Sequence, residues 1–182
     1  MANKGQNGII VIQTNFWLKR CQAFQKGQKQ LLQFVDDPKF IAGLMLYWAE
    51  GSKGHETAIS NSDVNVIRFM VKWFGEFFAI TPSSLVLQLH IHSGQNEQNL
   101  RQYWSGVTGV PLNNFGKGYT KPENNGQRKK KLYYGTVKMR VKGLGSTYLL
   151  YQILGAIAEF NNRMLSVKAS PEAWIQKPKY AQ

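Results

Sequence analysis

The carboxylate in the most unusual position is that of Glu50, which directly follows an unbroken apolar run, residues 40–49. A helix that is apolar all round is covered on all sides, and its C-terminal end disfavours a carboxylate by about 0.3–1 kcal/mol. Such conflicts concentrate at functional sites, so Glu50 is a candidate functional carboxylate. The alternative is that it frays into solvent and has no role.

Two segments alternate between apolar and polar side chains, as half-buried strands do. In Leu85–His92 the polar face carries an amide and two imidazoles, and in residues 132–141 it is basic. Such side chains contact base edges and phosphates of nucleic acids. The candidate DNA contacts are Gln88, His90, His92, Lys138, Arg140, Lys142, Arg128, Lys129, Lys130 and Lys131. The last four alone would suit a solvated loop, and two histidines without a nearby cysteine or aspartate make a poor zinc signature.

The composition points to a polyanionic partner. The 182 residues carry a formal net charge of +13, which favours nucleic acid over an anionic membrane surface, and a hydrophobic content of 43% excludes wholesale disorder. No apolar run approaches the length of about 18 residues typical of a membrane span, so no membrane partner is expected. The single cysteine, Cys21, excludes an internal disulfide and reads as a semi-buried thiol.

The elements that would position these residues follow from periodicity and capping signals. Asp37 and Pro38 begin a helix that Gly51, in a left-handed conformation, would end. The predicted elements are a short strand at 9–12, a helix at 15–35 interrupted near Gly27, a helix Pro38–Glu50, a strand at 56–61, a helix Val64–Phe78, a strand Leu85–His92, a helix at 96–107, a polar unpacked loop at 113–131, a strand at 132–141 and a helix at 148–160. Strands with one apolar and one polar face require a sheet that is covered by helices on one face only, which is an α+β fold.

The segment 43–51 resembles the helical motif of the LAGLIDADG homing endonucleases. Leu46 and Tyr47 occupy its apolar positions, Ala49 the small position, and Glu50 with Gly51 the closing acid-glycine pair. Met45 stands where the family has a packing glycine. Trp48 stands where the family has its first acid, so each motif offers one carboxylate.

This resemblance implies an αββαββα domain with a curved antiparallel sheet that straddles the DNA major groove. The chain would depart from it by an extra helix between the third and fourth strands, and its second early strand would have to lie within residues 51–57. The expected organisation is an N-terminal arm at 1–35, which packs on the domain or reaches along DNA, the LAGLIDADG-like domain at 36–162 and a C-terminal tail at 163–182.

The resemblance also implies a homodimer that cuts both strands of a near-palindromic site, with Mg²⁺ or another divalent cation at paired Glu50 carboxylates. Lys53 and Lys142 would assist the cut electrostatically. The expected dimer interface is Ala42, Gly43, Met45, Leu46 and Ala49. The alternatives are a non-cleaving DNA-binding regulator and an RNA-binding splicing factor. The expected location is the cytoplasm, or an organelle matrix if the protein is intron-encoded.

Overall fold

The computed structural model describes residues 4–121, 132–168 and 170–178. The chain is α+β and divides into two compact units, Met1–Leu44 with Thr147–Gln182, and Met45–Ser146. The helices are α1 (Lys4–Phe34), α2 (Pro38–Glu50), α3 (Val64–Phe78), α4 (Glu97–Thr108), α5 (Gly145–Leu165) and α6 (Pro171–Trp174); the strands are β1 (Ala58–Asn61), β2 (Leu85–His92), β3 (Tyr119–Lys121) and β4 (Thr136–Val141). No described helix is long and apolar enough to cross a membrane.

Helix α1 is continuous, so the predictions of a strand at 9–12 and of a break near Gly27 are wrong. Gly27 is needed for a close helix crossing within the first unit. A Cβ on Gly27 would lie 1.7 Å from the carbonyl oxygen of Gln152 on α5, and one on Gly155 would lie 2.0 Å from that of Phe24. The glycines therefore let two backbones touch, which local periodicity does not reveal.

The core of the first unit is built from apolar side chains of α1, α2 and α5. Phe24 and Leu31 of α1 are fully buried, and the Phe24 ring lies 6.4 Å from that of Trp174 on α6. The amide nitrogen of Gln152 donates a 2.7 Å hydrogen bond to the side chain of Gln30. The N-terminal segment is thus a packed part of its unit.

Helix α2 begins where the sequence predicts, because the Asp37 carboxylate accepts hydrogen bonds from the backbone amides of Lys39 (2.8 Å) and Phe40 (3.0 Å). Its end differs from the prediction. Gly51 does not adopt a left-handed conformation, and a Cβ there would lie 2.5 Å from the Tyr47 carbonyl oxygen and 2.7 Å from the Tyr47 ring. Glycine is required here by the closeness of the ring.

The sheet of the second unit has the strand order β1-β4-β2-β3. β4 pairs antiparallel with β1 and β2, but β3 pairs parallel with β2, so the sheet is mixed and the expectation of an antiparallel sheet is wrong for β3. One four-residue strand, β1, lies between α2 and α3. Before it, Gly51 forms an isolated antiparallel bridge with Ile59 of β1. The predicted extra helix before the last strand is α4.

Helices α3 and α4 pack on one face of the sheet. Asp63 caps α3 by accepting from the Asn65 amide, and α4 is capped by Asn96. The buried side chains of β2 and β4 alternate along each strand, as the sequence predicts. The sheet is tied to the start of α5 by Thr57, whose buried hydroxyl donates to the Ser146 carbonyl (2.6 Å) and whose amide donates to the Ser146 hydroxyl (2.9 Å).

Two segments near the sheet differ from their predictions. Residues 113–121 do pack: the Asn114 side chain donates to the carbonyls of Ser83 (2.9 Å) and Leu85 (3.0 Å), and β3 follows. The rest of the predicted loop, 122–131, lies outside the described residues. Residues 132–135 form a turn, and the strand begins only at Thr136, because Gly135 adopts a positive φ of 66°.

Candidate nucleic-acid interface

One face of the sheet carries polar and basic side chains that remain partly exposed. We call it the open face and define it by Ser60, Gln88, His90, His92, Tyr119, Thr136, Lys138 and Arg140. The register places Lys138 between Ser60 and Gln88, and His90 between Thr136 and Tyr119. Neighbouring side chains on one face of paired strands lie about 4.5–5.5 Å apart, so these rows form a continuous surface.

The basic residues of the open face have an acidic partner, Glu56. The Nζ of Lys138 donates to Oε1 of Glu56 at 2.7 Å, and Nη1 of Arg140 lies 4.0 Å from Oε2 of the same carboxylate. Glu56 precedes β1, whose Ala58 lies opposite Arg140. Sequence reasoning missed this pair because it depends on the β1–β4 register, which joins positions 82 residues apart.

The polar residues of β2 have local partners. The Gln88 amide nitrogen donates to the Lys117 carbonyl (3.0 Å), which fixes the segment leading to β3. The His90 ring meets the Tyr119 ring edge-on with centroids 6.0 Å apart, and His92 is held through its backbone amide, which donates to Gln95. Among the described residues, no three or more His, Cys, Asp or Glu side chains form a group that could hold a metal.

The two proposed helper lysines each cap a backbone carbonyl. The Nζ of Lys53 donates to the Trp48 carbonyl (2.5 Å) at the C-terminal end of α2, where a cation complements the helix dipole. The Nζ of Lys142 donates to the Ser83 carbonyl (2.9 Å), just beyond the end of β4. Both side chains lie in exposed surroundings, and neither forms an ion pair with a described acidic residue.

Glu50 is exposed at the last position of α2, and its carboxylate has no hydrogen bond or ion pair within the part of the chain that the structure describes. Nearby, the buried Tyr47 hydroxyl donates to the Ser52 carbonyl (2.9 Å) and fixes the turn after Glu50. Burial raises the pKa of Tyr47 well above its ordinary value, so this donor stays protonated. Glu50 is therefore an available carboxylate on a fixed helix end.

Helix α2 has one buried and one accessible side. Phe40, Leu44 and Tyr47 are fully buried. Of the predicted dimer residues, Ala42 and Ala49 are exposed, Met45 and Leu46 are half-buried, and Gly43 is buried. Four of these residues follow the spacing i, i+3, i+4 and i+7, namely Ala42, Met45, Leu46 and Ala49. This spacing places them on one side of the helix.

Two other predictions concern the single cysteine and the run of four basic residues. Burial, and to a smaller extent the Glu172 carboxylate, raises the pKa of the half-buried Cys21 thiol, which favours the unreactive form. Arg128, Lys129, Lys130 and Lys131 lie outside the described residues.

Comparisons of the chain with models of protein families, with curated proteins and with solved structures found no match.

Proposed function

We propose that the protein binds double-stranded DNA through the open face of its sheet, on a LAGLIDADG-like domain. The observation that carries this proposal is the one-sided β4 strand, with Lys138 and Arg140 on the accessible face in a chain of net charge +13. Neutralising phosphates with such side chains releases counterions and supplies much of the affinity for DNA. A two-stranded ribbon fits the major groove, where the same side chains reach base edges.

The order of elements supports the proposed domain type. Helix α2 is followed by the Gly51–Ile59 bridge, β1, α3, β2, β4 and α5, with α4 and β3 inserted before β4. The order of elements matches the family's helix, two strands, helix, two strands, helix if Gly51, which pairs with Ile59, is counted as a one-residue first strand. The acid-glycine pair lies at the end of α2, as the motif requires.

The finer proposal is cleavage of both DNA strands by a homodimer, with Glu50 as the acid. The residues of a single chain do not fit a magnesium site, because Glu50 is one carboxylate and no metal-binding group was found among the described residues. Two carboxylates would meet only if the accessible sides of two α2 helices packed around a twofold axis. The apolar character of that side supports this arrangement.

The second candidate is a non-cleaving DNA-binding protein on the same domain. It is favoured by Trp48, which stands in place of the motif's first acid and is partly exposed next to Glu50. Both candidates use the open face, so they share the binding test and differ only in cleavage.

The binding test removes two charges from the open face. We expect Lys138→Gln with Arg140→Gln to weaken binding to duplex DNA and to make the slope of log K against log salt shallower by about 2, since each phosphate contact contributes about 0.9. Fluorescence anisotropy over a salt series measures both. The matched control is Arg68→Gln with Lys72→Gln, which removes the same charges from exposed positions on α3.

Three results decide the proposal. Equal losses in the two double variants would show that only net charge matters and would contradict an interface on the sheet. Tighter binding to duplex RNA than to DNA of the same sequence would favour the RNA alternative. Magnesium-dependent cutting of a plasmid library, abolished by Glu50→Gln with binding retained, would identify the enzyme, whereas binding without cutting would identify the regulator.

A further inference from the structure

The turn at residues 132–135 presents an aromatic side chain to solvent. Tyr133 is 81% exposed, the highest value among the large apolar and aromatic side chains of the described residues. Single exposed apolar residues are common on protein surfaces, so the exposure of Tyr133 gains meaning only from the way its ring is supported.

The backbone of this turn is held by several hydrogen bonds. The Gly135 amide donates to the Leu132 carbonyl (3.1 Å), which closes the turn. The amide nitrogen of Gln95 donates to both the Leu132 carbonyl (3.0 Å) and the Tyr133 carbonyl (2.8 Å), while its oxygen accepts from the His92 amide (2.8 Å). One glutamine thus ties the turn to the end of β2.

The turn is also held by packing against helix α4. The Tyr134 ring lies flat on the Tyr103 ring, with centroids 3.9 Å apart and an interplanar angle of 3°, and the Tyr134 carbonyl accepts from the Trp104 indole (3.0 Å). The Tyr133 ring meets Tyr134 edge-on at 4.8 Å and 83°. This contact braces Tyr133, and its 81% exposure leaves at least one face of its ring accessible.

The turn leads directly into the basic part of the open face. At about 3.3 Å per residue, Lys138 and Arg140 lie about 7 and 13 Å along β4 from its first residue, Thr136. One strand of B-DNA advances about 3.4 Å per nucleotide, so phosphates held by these cations would place bases within a few nucleotides of the turn. The neighbouring positive charge favours a nucleic acid as the partner of the exposed ring.

We propose that Tyr133 stacks on the face of an unpaired nucleobase next to the DNA bound on the open face. This inference rests on the proposed DNA binding and adds a preference for DNA with a locally unpaired base. An unpaired base offers its face directly, whereas stacking within an intact duplex first requires a base step to be unstacked. Stacking on aromatic side chains tolerates every base, so no base preference is expected.

The test uses duplexes with 2-aminopurine either at one unpaired position or fully paired. Wild type and Tyr133→Phe should quench the fluorescence of the unpaired 2-aminopurine and bind that duplex about tenfold more tightly than the paired one, in line with the measured contribution of base–aromatic stacking. Tyr133→Ala should lose the quenching and the preference and keep its affinity for the paired duplex. Leu144→Ala is the matched control, since Leu144 is 73% exposed in the turn that follows β4.

The outcomes separate this inference from the proposed function. If no protein binds any duplex, both are wrong. If wild type binds but Tyr133→Ala retains the quenching and the preference, stacking is wrong and DNA binding stands. Equal weakening of both duplexes by Tyr133→Ala would also overturn stacking, because the side chain would then contact paired DNA. Circular dichroism confirms that each variant is folded.

Discussion

The carboxylate of Glu56 controls how much positive charge the open face presents. It pairs with Lys138 at 2.7 Å and approaches Arg140 at 4.0 Å, so it occupies the position in which a phosphate would be neutralised. The paired side chains are about one-third exposed, and ion pairs of this kind contribute about 0–1 kcal/mol to stability. The larger expected effect of Glu56 is therefore on the proposed DNA binding.

We predict that Glu56→Gln tightens DNA binding and steepens its salt dependence, because a competing anion is removed from the two side chains proposed to contact phosphates. Fluorescence anisotropy at several salt concentrations measures both quantities. Glu76→Gln on α3 changes the net charge equally, away from the open face, and should have a smaller effect. Weaker binding by Glu56→Gln would show that Glu56 orients the basic side chains productively.

For single residues, the sequence predicts the roles that depend on nearby positions in the chain. Asp37 is predicted as a cap and accepts the amide hydrogen bond of Phe40, because a cap and its helix lie within three residues. The role of Gly51 was misjudged because the Tyr47 ring, and not a left-handed turn, requires a glycine there. Glu56 was missed because its partners lie on a distant strand.

Among the elements, α1 shows most clearly how a tertiary contact overrides a local signal. Gly27 within a helical pattern suggests an interruption, yet the helix continues because Gly27 and Gly155 allow α1 and α5 to cross backbone to backbone. The strands Leu85–His92 and Thr136–Val141 were predictable because their alternation coincides with burial. Strand β3 was not, since its three residues carry no such pattern.

We predict that Gly27→Ala and Gly155→Ala each destabilise the fold by at least the 1–3 kcal/mol typical of overpacking, because the new methyl groups would meet backbone atoms that cannot rotate away. Gly8→Ala, also on α1, has nothing within 4 Å of the added carbon and should be neutral or stabilising by up to about 1 kcal/mol. Thermal unfolding followed by circular dichroism measures the shifts. Unfolding temperatures that all match wild type would contradict the close crossing.

For the molecule as a whole, the charge of +13 and the one-sided strands were readable from the sequence. The grouping of both chain ends into one compact unit was not, because no composition change between residues 1 and 44 indicates a contact with residues 147–182. The single-motif carboxylate and the accessible apolar side of α2 remain the basis for expecting a second copy.

We predict that the protein is a dimer and that Ala49→Glu converts it to a monomer, because two added carboxylates would face each other across the twofold axis beside the Glu50 pair. Sedimentation equilibrium at micromolar concentrations measures the mass. Gln102→Glu adds the same charge at an exposed position of α4 and should leave the dimer intact. A monomeric wild-type protein would contradict the paired Glu50 arrangement.

The lengths of the strands have a consequence for solubility. Within the described residues, the border strand β1 has four residues, whereas the inner strands β2 and β4 have eight and six. Exposed strand borders with free peptide groups template association between sheets, and short borders limit it. The short border strand β1 thereby limits pairing of this sheet with the sheet of another molecule, although one face of the sheet stays uncovered.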